Sequence, residues 1–426
     1  MTATVIKSSN TVNQTVNSFP SANYTNNLQI VRKNSAKDGN KFEFYNDNAL
    51  TFKVSGGSVT LPDGTIYRDE FVLPINNISN PIPHVFTLDV GVQIGYLSWQ
   101  ESDNTIQGFK IGSGATPNYT IGLPSDNLVN IAYLLALSPY FNQDISLFKT
   151  KQVQYLQGLL YGCSSFNKAF NFDLSNALDM NAVFYACTSY NQSTVLDVPQ
   201  VQNITNILAF AENFNSYIKI NAPQCLEAVG AFKGAKAFNQ SVDDIYIPNA
   251  KIKYFFENAK SFNKDVTKLL SHKPKDLEGF FLGASSFNQQ LNFDASNVES
   301  LAYFLSGAVS FNQPLGHLDI SKCLNFKGIF DNAFALKQDI SAWCSKFNVN
   351  ADIADVTNAP NMSTEHYDKF LNALWLDVSV TRKTEWAAST SRRVIYSQFG
   401  KSSAASADAK IGLASLSWTI IDAGVV

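Results

Sequence analysis

The chain has 426 residues, too many for one ordinary core, so two or three domains are expected. Hydrophobic residues make up 45% of the sequence and charged residues 16%, which excludes a largely disordered chain. The net charge is only −3, without a long run of like charge, so neither nucleic acid nor an anionic membrane surface is indicated as a partner. No apolar stretch is long enough for membrane insertion.

Residues 1–40 are polar and show no sustained periodicity. Their few apolar residues are mostly β-branched, for example Val5, Ile6, Ile30 and Val31. This composition predicts an extended N-terminal arm that becomes ordered when another chain binds it. The start of the chain also lacks the apolar core of a secretory signal peptide, so we expect any export to follow another route.

Residues 41–125 carry short strand signals separated by turns, and they predict a β-rich domain that anchors the protein. Two alternating segments come first, and Gly56-Gly57 is expected to end the second of them. Ser58–Leu61 and Thr65–Tyr67 then flank Pro62-Asp63-Gly64, which predicts a hairpin.

Residues 126–350 contain a repeat whose most regular feature is an aromatic residue followed by asparagine, every 24 or 25 residues. The aromatic members are Phe141, Phe166, Tyr190, Phe214, Phe238, Phe262, Phe287 and Phe311. The asparagines are Asn142, Asn167, Asn191, Asn215, Asn239, Asn263, Asn288 and Asn312. A ninth, degenerate copy is Leu336-Lys337. Chance does not produce such regular spacing, so the region is a repeat array.

Other positions recur at fixed distances from this aromatic residue. The residues ten and six positions before it are apolar, and the residue three positions before it is small. This spacing predicts a short helix in each repeat with one buried face. A residue four positions after the aromatic, usually apolar, predicts one brief strand. Because a helix and a strand of this size cannot bury themselves alone, the repeats should stack into an α/β solenoid of about nine coils.

We interpret the aromatic-asparagine pair as structural. The ring follows the apolar stripe in phase, so it should fill the core. The asparagine suits hydrogen bonds to the backbone of a turn and a ladder between repeats. An exposed aromatic ladder for sugars is the alternative for this column, and it fits that phase less well.

The five cysteines do not make a disulfide framework. Cys163 and Cys187 take the small position of the repeat, and Cys225 and Cys323 take a position where other repeats have valine. Each should therefore behave as a small buried apolar residue. A disulfide between Cys163 and Cys187 is geometrically conceivable, whereas the spacing needed for zinc is missing.

Asp173, Asp197, Asp294 and Asp319 recur seven or eight residues after the aromatic. Stacked carboxylates would suit calcium or a hydrolase, but the D-x-S setting favours Asx turns that cap the entry to a helix. A glycosidase needs one singled-out pair of carboxylates, and none is evident. The sequence therefore predicts a non-enzymatic protein with no catalytic residue, metal ligand or cofactor.

Residues 351–426 depart from the repeat and predict a C-terminal α/β cap, because the last coil of a solenoid must be covered. Ser363 is placed to cap the N-terminus of a helix that runs through Leu374. A second helix is expected near residues 402–415, and a last strand at 417–421.

Several stretches of the repeat carry a resemblance to a known family, for example Asp173-Leu174-Ser175-Asn176, Asp294–Val298 and Phe311–Leu315. They resemble the BspA-type leucine-rich repeats of surface proteins from bacteria, mycoplasmas and some protists, and of some phage structural proteins. The resemblance covers slightly over half the chain and implies a right-handed solenoid with an adhesive or interaction role. Residues 246–248 and 271–274, in two central repeats, lack the D-x-S-N turn.

These features predict first a bacteriophage virion surface protein of the fibre, spike or decoration type. Its arm and β-rich domain would bind other virion proteins in a homo-oligomeric assembly, and its solenoid would bind a host-surface protein or glycan. The alternative is a bacterial or mycoplasma cell-surface adhesin. A polysaccharide-degrading spike enzyme is a third hypothesis, and it would require an acid pair in a groove.

Overall fold

The computed structural model describes residues 150–426 continuously. Before them it describes nine strands between Thr2 and Leu123, and then residues 129, 131–133, 135–136, 141–142 and 144–148. The chain divides into two compact units, Met1–Gln224 and Cys225–Val426, which we call the first and second unit. No helix in the described part is long and apolar enough to cross a membrane.

The first nine strands belong to two sheets. The strands are β1 (Thr2–Ile6), β2 (Gln29–Arg32), β3 (Lys41–Phe44), β4 (Leu50–Thr60), β5 (Ile66–Leu73), β6 (His84–Leu88), β7 (Tyr96–Gln100), β8 (Phe109–Ile111) and β9 (Tyr119–Leu123). One sheet has the order β7-β1-β4-β6-β3-β8, with β5 also pairing with β4. In the other, β9 lies between β2 and β10 (Asp144–Phe148).

The hairpin predicted around residues 62–64 is confirmed, because β4 and β5 pair antiparallel with Thr60 opposite Ile66. The prediction that Gly56-Gly57 ends a strand is wrong. Strand β4 continues through both glycines, and its register with β5 shifts between Lys53 and Ser58. Glycine tolerates the irregular backbone that such a shift requires, so the strand bends without ending.

Strands β1 and β2 both lie within the predicted arm, residues 1–40, yet they pair with strands beyond it. Strand β1 is parallel to β4 and antiparallel to β7, and β2 is antiparallel to β9. The predicted boundary at residue 40 therefore does not separate these two strands from the β-rich domain. Their β-branched residues suit a sheet within the same unit as well as one formed with a partner. The rest of the arm lies outside the described residues.

Each repeat contains two consecutive β-turns before its core ring. Around Phe166, for example, the N–H groups of Leu159 and Cys163 donate to the carbonyls of Leu156 and Leu160, three residues earlier. The third residue of each turn has a positive φ, as type II turns require. These positions lie eight and four residues before the ring, at Tyr133, Gly158, Gly162, Ala182, Ala186, Asn206, Phe210, Gly230, Gly234, Tyr254, Asn258, Gly279, Gly283, Tyr303, Gly307, Gly328 and Asn332.

The prediction of one helix per repeat is therefore wrong. Between residues 150 and 350 the helical segments are two short 3-10 turns, Leu269–His272 and Ser341–Trp343. Two consecutive turns, four residues apart, bury side chains at the same spacing as one face of a helix. The periodicity of the sequence therefore cannot distinguish the two structures. The backbone bonds do separate them, because the N–H groups of Leu156 and Leu160 donate to carbonyls of the next repeat.

The strand predicted after each ring is present in some repeats only. In the first unit, β10 contains Ile145, and β11 (Thr194–Asp197) pairs in parallel with β12 (Ile218–Asn221). In the second unit, β13 (Ile245–Tyr246) has two residues. The other repeats after residue 150 have no strand at this position, although Phe170, Val266, Leu291, Leu315 and Ile340 are buried there. Burial, and not strand formation, is the common property of this column.

A column of stacked rings runs through the core of each unit. The rings from Phe141 to Phe311 are almost completely buried. In the first unit, the rings of Phe141, Phe166, Tyr190 and Phe214 follow each other at 5.8 Å. In the second, Phe238, Phe262, Phe287 and Phe311 follow at 5.8 to 6.1 Å and within 3° of parallel.

The asparagines form a ladder of hydrogen bonds beside the rings. The Oδ1 atom of Asn142 accepts from the backbone N–H of Asn167, at 2.8 Å, and Asn167 accepts in the same way from Asn191. The ladder recurs in the second unit, where Asn263 accepts from Asn288 at 2.9 Å. Its further bonds in the two units are Asn191 to Asn215, Asn239 to Asn263, Asn288 to Asn312 and Asn312 to Lys337. The side chain thus supplies the acceptor that a strand ladder would take from a backbone carbonyl.

The C-terminal segment contains α1 (Thr364–Leu376), a π-helical turn (Asp377–Thr381), α2 (Lys383–Ala388), β14 (Val394–Ser397), a 3-10 turn (Ala404–Ser406), α3 (Ala407–Ser415) and β15 (Thr419–Asp422). The predicted cap residue of α1 is confirmed, because the Ser363 hydroxyl accepts from the N–H of His366 at 3.2 Å. Helix α1 covers the end of the last repeat, where Phe370 meets Phe347 edge-on. Strands β14 and β15 pair in parallel.

Candidate interaction surface

The outward side chains of the turns form one surface in each unit. They lie 11, 9, 8, 5 and 4 residues before the core ring, and we call this surface the turn face; its large side chains are half-buried or exposed, whereas small residues such as Ala182 and Ala209 are buried beneath them. The residues between them point inward, as Leu156 and Leu160 show, since both are fully buried. The turn face is therefore the part of each repeat whose composition the core does not fix.

In the first unit the turn face is aromatic. Tyr161 and Tyr185, each five residues before its core ring, stack face to face with centroids 4.6 Å apart. Phe210 meets Tyr185 edge-on at 5.2 Å. We call these three side chains the aromatic row. Tyr133 and Tyr155 add exposed rings, 50% and 37% accessible. Large aromatic side chains left at a surface are typical of binding sites.

This aromatic turn face carries almost no charge. From 11 to 4 residues before the ring, the first four repeats contain a single charged residue, Asp179. The residue nine before the ring is Ala132 in the first repeat and a neutral polar residue, Gln157, Asn181 or Thr205, in the next three. Asn181 donates its amide to the carbonyl of Thr205 at 3.2 Å, whereas Oε1 of Gln157 is buried without any hydrogen-bond partner. This acceptor is available for a hydrogen bond from water or from a ligand.

Small residues separate the polar positions from the aromatic row along the chain. Gly158 and Ala182 stand eight residues before their rings, both with positive φ. The ring of Tyr133 from the preceding repeat covers Gly158, and a Cβ there would lie 2.2 Å from Cε1 of the tyrosine. The ring of Tyr133 therefore leaves room only for glycine at this position, whereas Ala182 adopts the same positive φ with a side chain.

In the second unit the same positions carry charges. Its five repeats place nine charged residues on the turn face: Glu227, Lys233, Lys251, Lys253, Glu257, Asp276, Glu278, Lys327 and Asp331. Lys253 lies 2.7 Å from Asp276 and 2.9 Å from Glu278, and Lys233 lies 2.8 Å from Glu257. Most of these ionic groups are thus paired between neighbouring repeats.

Hydrogen bonds shift the ionisation of this network. The hydroxyl of Tyr254 and the ammonium of Lys253 both donate to Glu278, and together they lower its pKa. Hydrogen bonds to Asp276 and Glu278 raise the pKa of Lys253. The network therefore remains ionised and internally paired near neutral pH, which leaves little of its charge for a ligand.

All five cysteines are free and buried. The conceivable disulfide between Cys163 and Cys187 is not formed, and each thiol instead donates to a carbonyl of the preceding repeat, Leu135 or Leu160. Burial raises the pKa of Cys187 well above its ordinary value and that of Cys323 to about 12. Thiols in such surroundings are poor nucleophiles.

The recurring aspartates form turns. Asp173, Asp294 and Asp319 each accept from the backbone N–H of the serine two residues later, at 3.0 to 3.2 Å. Bonds from Ser175 lower the pKa of Asp173. No helix follows these turns between residues 173 and 340, apart from the 3-10 turn at 269–272, so their predicted role at a helix entry is wrong. Asp197 instead accepts from the amide of Asn221 at 2.7 Å.

No group of three or more His, Cys, Asp or Glu side chains in the described residues is arranged to hold a metal ion. A polar cluster in the C-terminal segment has parts that sequence reasoning missed. Lys410 donates to Ser402 at 3.0 Å and to Asp422 at 2.8 Å. Serine-lysine pairs occur in acyl-transfer enzymes, but Ser402 is fully buried and cannot meet a substrate. The cluster fixes β15 to α3.

A family model matches the chain at residues 123–196, 194–292 and 250–370. The family is described as Mycoplasma protein of unknown function, DUF285. The chain belongs to this family. The overlapping DUF285 matches span more than half of the 426 residues and include the whole aromatic row. No curated protein and no solved structure matches the chain.

Proposed function

We propose that this protein is a non-enzymatic cell-surface protein that binds a partner through the turn face of its first unit. The observation that carries the proposal is the aromatic row, Tyr161, Tyr185 and Phe210, whose half-buried rings contact each other on the turn face. A description from Mycoplasma and the likeness to BspA-type repeats support a place on a cell surface. An adhesin is the kind of protein that combines these properties.

The DUF285 match favours this function over the virion protein that the sequence first suggested. The family is described from Mycoplasma, and no comparison supports a fibre, spike or capsid role. Docking through the N-terminal β-rich domain and assembly into a homo-oligomer are compatible with either location. Both belong to the proposal.

We propose the same solenoid plan for the repeats of both units. Each repeat donates backbone N–H groups to its neighbour, its ring stacks on the next ring, and its asparagine accepts from the next asparagine. Such nearest-neighbour bonding is the rule in solenoids. The C-terminal segment would serve as the cap, because α1 covers Phe347 at the end of the array.

The location is tested by antibody labelling and protease treatment of intact cells that make the protein. We expect surface labelling and cleavage without lysis. A protein reached only after lysis would contradict the cell-surface assignment.

The binding role is tested with purified protein on cultured host cells. The double variant Tyr161→Ala/Tyr185→Ala should lose most of its binding while keeping its far-UV spectrum. The matched control is Tyr246→Ala, which removes a 45% exposed tyrosine from the second unit and should bind normally. Equal binding by both variants would show that the aromatic row is not the binding surface.

A further inference from the structure

We propose that the ligand of the aromatic row is an uncharged glycan, whose sugar rings lie along successive repeats of the first unit. This inference rests on the proposed function and specifies its ligand. It uses three properties of the first unit's turn face: the lack of charge, the unpaired polar atoms, and the hydrogen bonds that already occupy its backbone N–H groups.

The lack of charge selects among ligands. A nucleic acid, a sulfated polysaccharide or a sialylated glycan needs cations at its binding site. The turn-face window of the first four repeats has no Lys or Arg, and its one charge, Asp179, would repel an anion. An acidic ligand is therefore disfavoured, whereas a neutral one meets no penalty.

The unpaired polar atoms suit a polyhydroxyl ligand. No described residue hydrogen-bonds to the hydroxyl of Tyr161 or Tyr185, so each can both donate and accept. Gln157 is half-buried and its Oε1 has no partner, so this acceptor would bond to a sugar hydroxyl if the side chain turns outward. Tyr161 and Tyr185 cover one face of each other, so the C–H groups of a sugar would meet the outer edges of the aromatic row.

The backbone argues against an extended peptide as ligand. A peptide that adds to a sheet needs free N–H and C=O groups at an edge. On the turn face, alternate N–H groups are already bonded to the next repeat, as Gly158 is to Asn181 and Gly162 to Tyr185. Recognition must therefore come from side chains. The rings of Tyr161 and Tyr185 are stacked at 4.6 Å, so a ligand that lies along the repeats would meet their hydroxyls and outer edges on two successive repeats.

Isothermal titration with neutral hexose and N-acetylhexosamine oligosaccharides, and with sialylated and sulfated counterparts, tests the proposal on the full chain. We expect a neutral oligosaccharide to bind, with affinity that rises with chain length. Tyr161→Ala and Tyr185→Ala should each weaken binding about tenfold, the loss of one aromatic contact. Tyr246→Ala should have no effect. Stronger binding of an acidic than of a neutral oligosaccharide, or no binding of either, would overturn the inference.

Gln157→Met separates a binding role from a structural one. Methionine has nearly the same shape and lacks the unpaired oxygen, so the variant should be at least as stable as the parent protein. If Gln157 binds the sugar, affinity should nevertheless fall about fivefold. Unchanged affinity, or loss of stability together with affinity, would remove Gln157 from the site.

Periodate treatment of host cells distinguishes failure of this inference from failure of the proposed function. If oxidation of cell-surface sugars abolishes binding that depends on Tyr161 and Tyr185, both are supported. If that binding survives oxidation, the glycan is wrong and the partner is a protein. If the double variant binds like the parent protein, the proposed binding surface itself is wrong.

Discussion

The turn faces of the two units are built on the same backbone from different residues. Five residues before the core ring stand Tyr161 and Tyr185 in the first unit, and Lys233 and Glu257 in the second. The tyrosines stack on each other and keep free hydroxyls, whereas the charges pair with each other across repeats. The comparison teaches that the stacked core rings and the hydrogen bonds between neighbouring repeats determine the fold. The turn face can then carry a surface open to a ligand or one paired internally.

The largest effect should come from the column that both units share. Phe166→Ala in the first unit and Phe238→Ala in the second should each lower the free energy of unfolding by about 3 to 5 kcal/mol, as expected for a buried aromatic residue. Urea denaturation measures both. A loss below about 1 kcal/mol in one unit alone would show that the two cores are not equivalent.

The asparagine ladder should give the next largest effect, again in both units. Asn191→Ala and Asn263→Ala each leave a backbone N–H of the next repeat without its acceptor, at a cost of about 1 to 3 kcal/mol. Asn292 is exposed and outside the ladder, so Asn292→Ala serves as the control and should cost under about 0.5 kcal/mol. Equal losses at Asn263 and Asn292 would rule out a stabilising ladder.

Acid should affect the second unit more than the first. Neighbouring donors lower the pKa of Glu278, Asp319 and Asp339 there, whereas Asp173 is the described example in the first unit. A lowered folded-state pKa contributes stability above the ordinary values, 4.5 for Glu and 3.8 for Asp, and this stability is lost as pH falls further. Asp331 opposes the trend, because burial raises its pKa.

The urea midpoint at pH 6 and pH 3.5 tests this difference. Glu278→Gln removes a carboxylate with a lowered pKa, so the variant should lose less stability on acidification than the parent protein. Asp173→Asn is the matched change in the first unit. A larger reduction of the pH dependence by Asp173→Asn would reverse the expected order.

The smallest effect is expected on the charged turn face itself. Lys251 pairs with Glu227, but its side chain is 66% exposed, and such pairs stabilise little in water. Lys251→Ala should change the free energy of unfolding by less than about 0.5 kcal/mol. A cost above about 1 kcal/mol would mean that the ionic network helps to hold the second unit together.

Much of this architecture could be predicted from the sequence, and its failures have physical causes. The aromatic-asparagine spacing located the rings and the ladder because both recur in eight of the nine repeats. Ser363 was found as a cap because serine before a periodic apolar segment is a local signal. The predicted helices were wrong because two consecutive type II turns bury side chains at the same spacing as one face of a helix. Positive φ at Ala182 and Tyr254 gave no signal, since neither residue is typical of that conformation.

The aromatic row could not be found in the same way. Tyrosine stands five residues before the ring in two repeats only, and Phe210 is offset by one residue. A search for columns shared by all repeats removes such local features. A search for differences between repeats would have singled out Tyr161 and Tyr185 against Lys233 and Glu257. In a repeat protein, the residues that fold it recur, and the residues that bind are among the exceptions.

The hydrogen bonds between neighbouring repeats also bear on how these units respond to force. The N–H groups of Leu156 and Leu160 bond along the direction in which repeats stack, so a pull on the chain end loads one repeat before the next. Each repeat of 24 residues would release about 80 Å of chain when it detaches. A protein attached to a surface through such repeats would lengthen stepwise under tension. One repeat would unfold while the others remain folded and bound to each other.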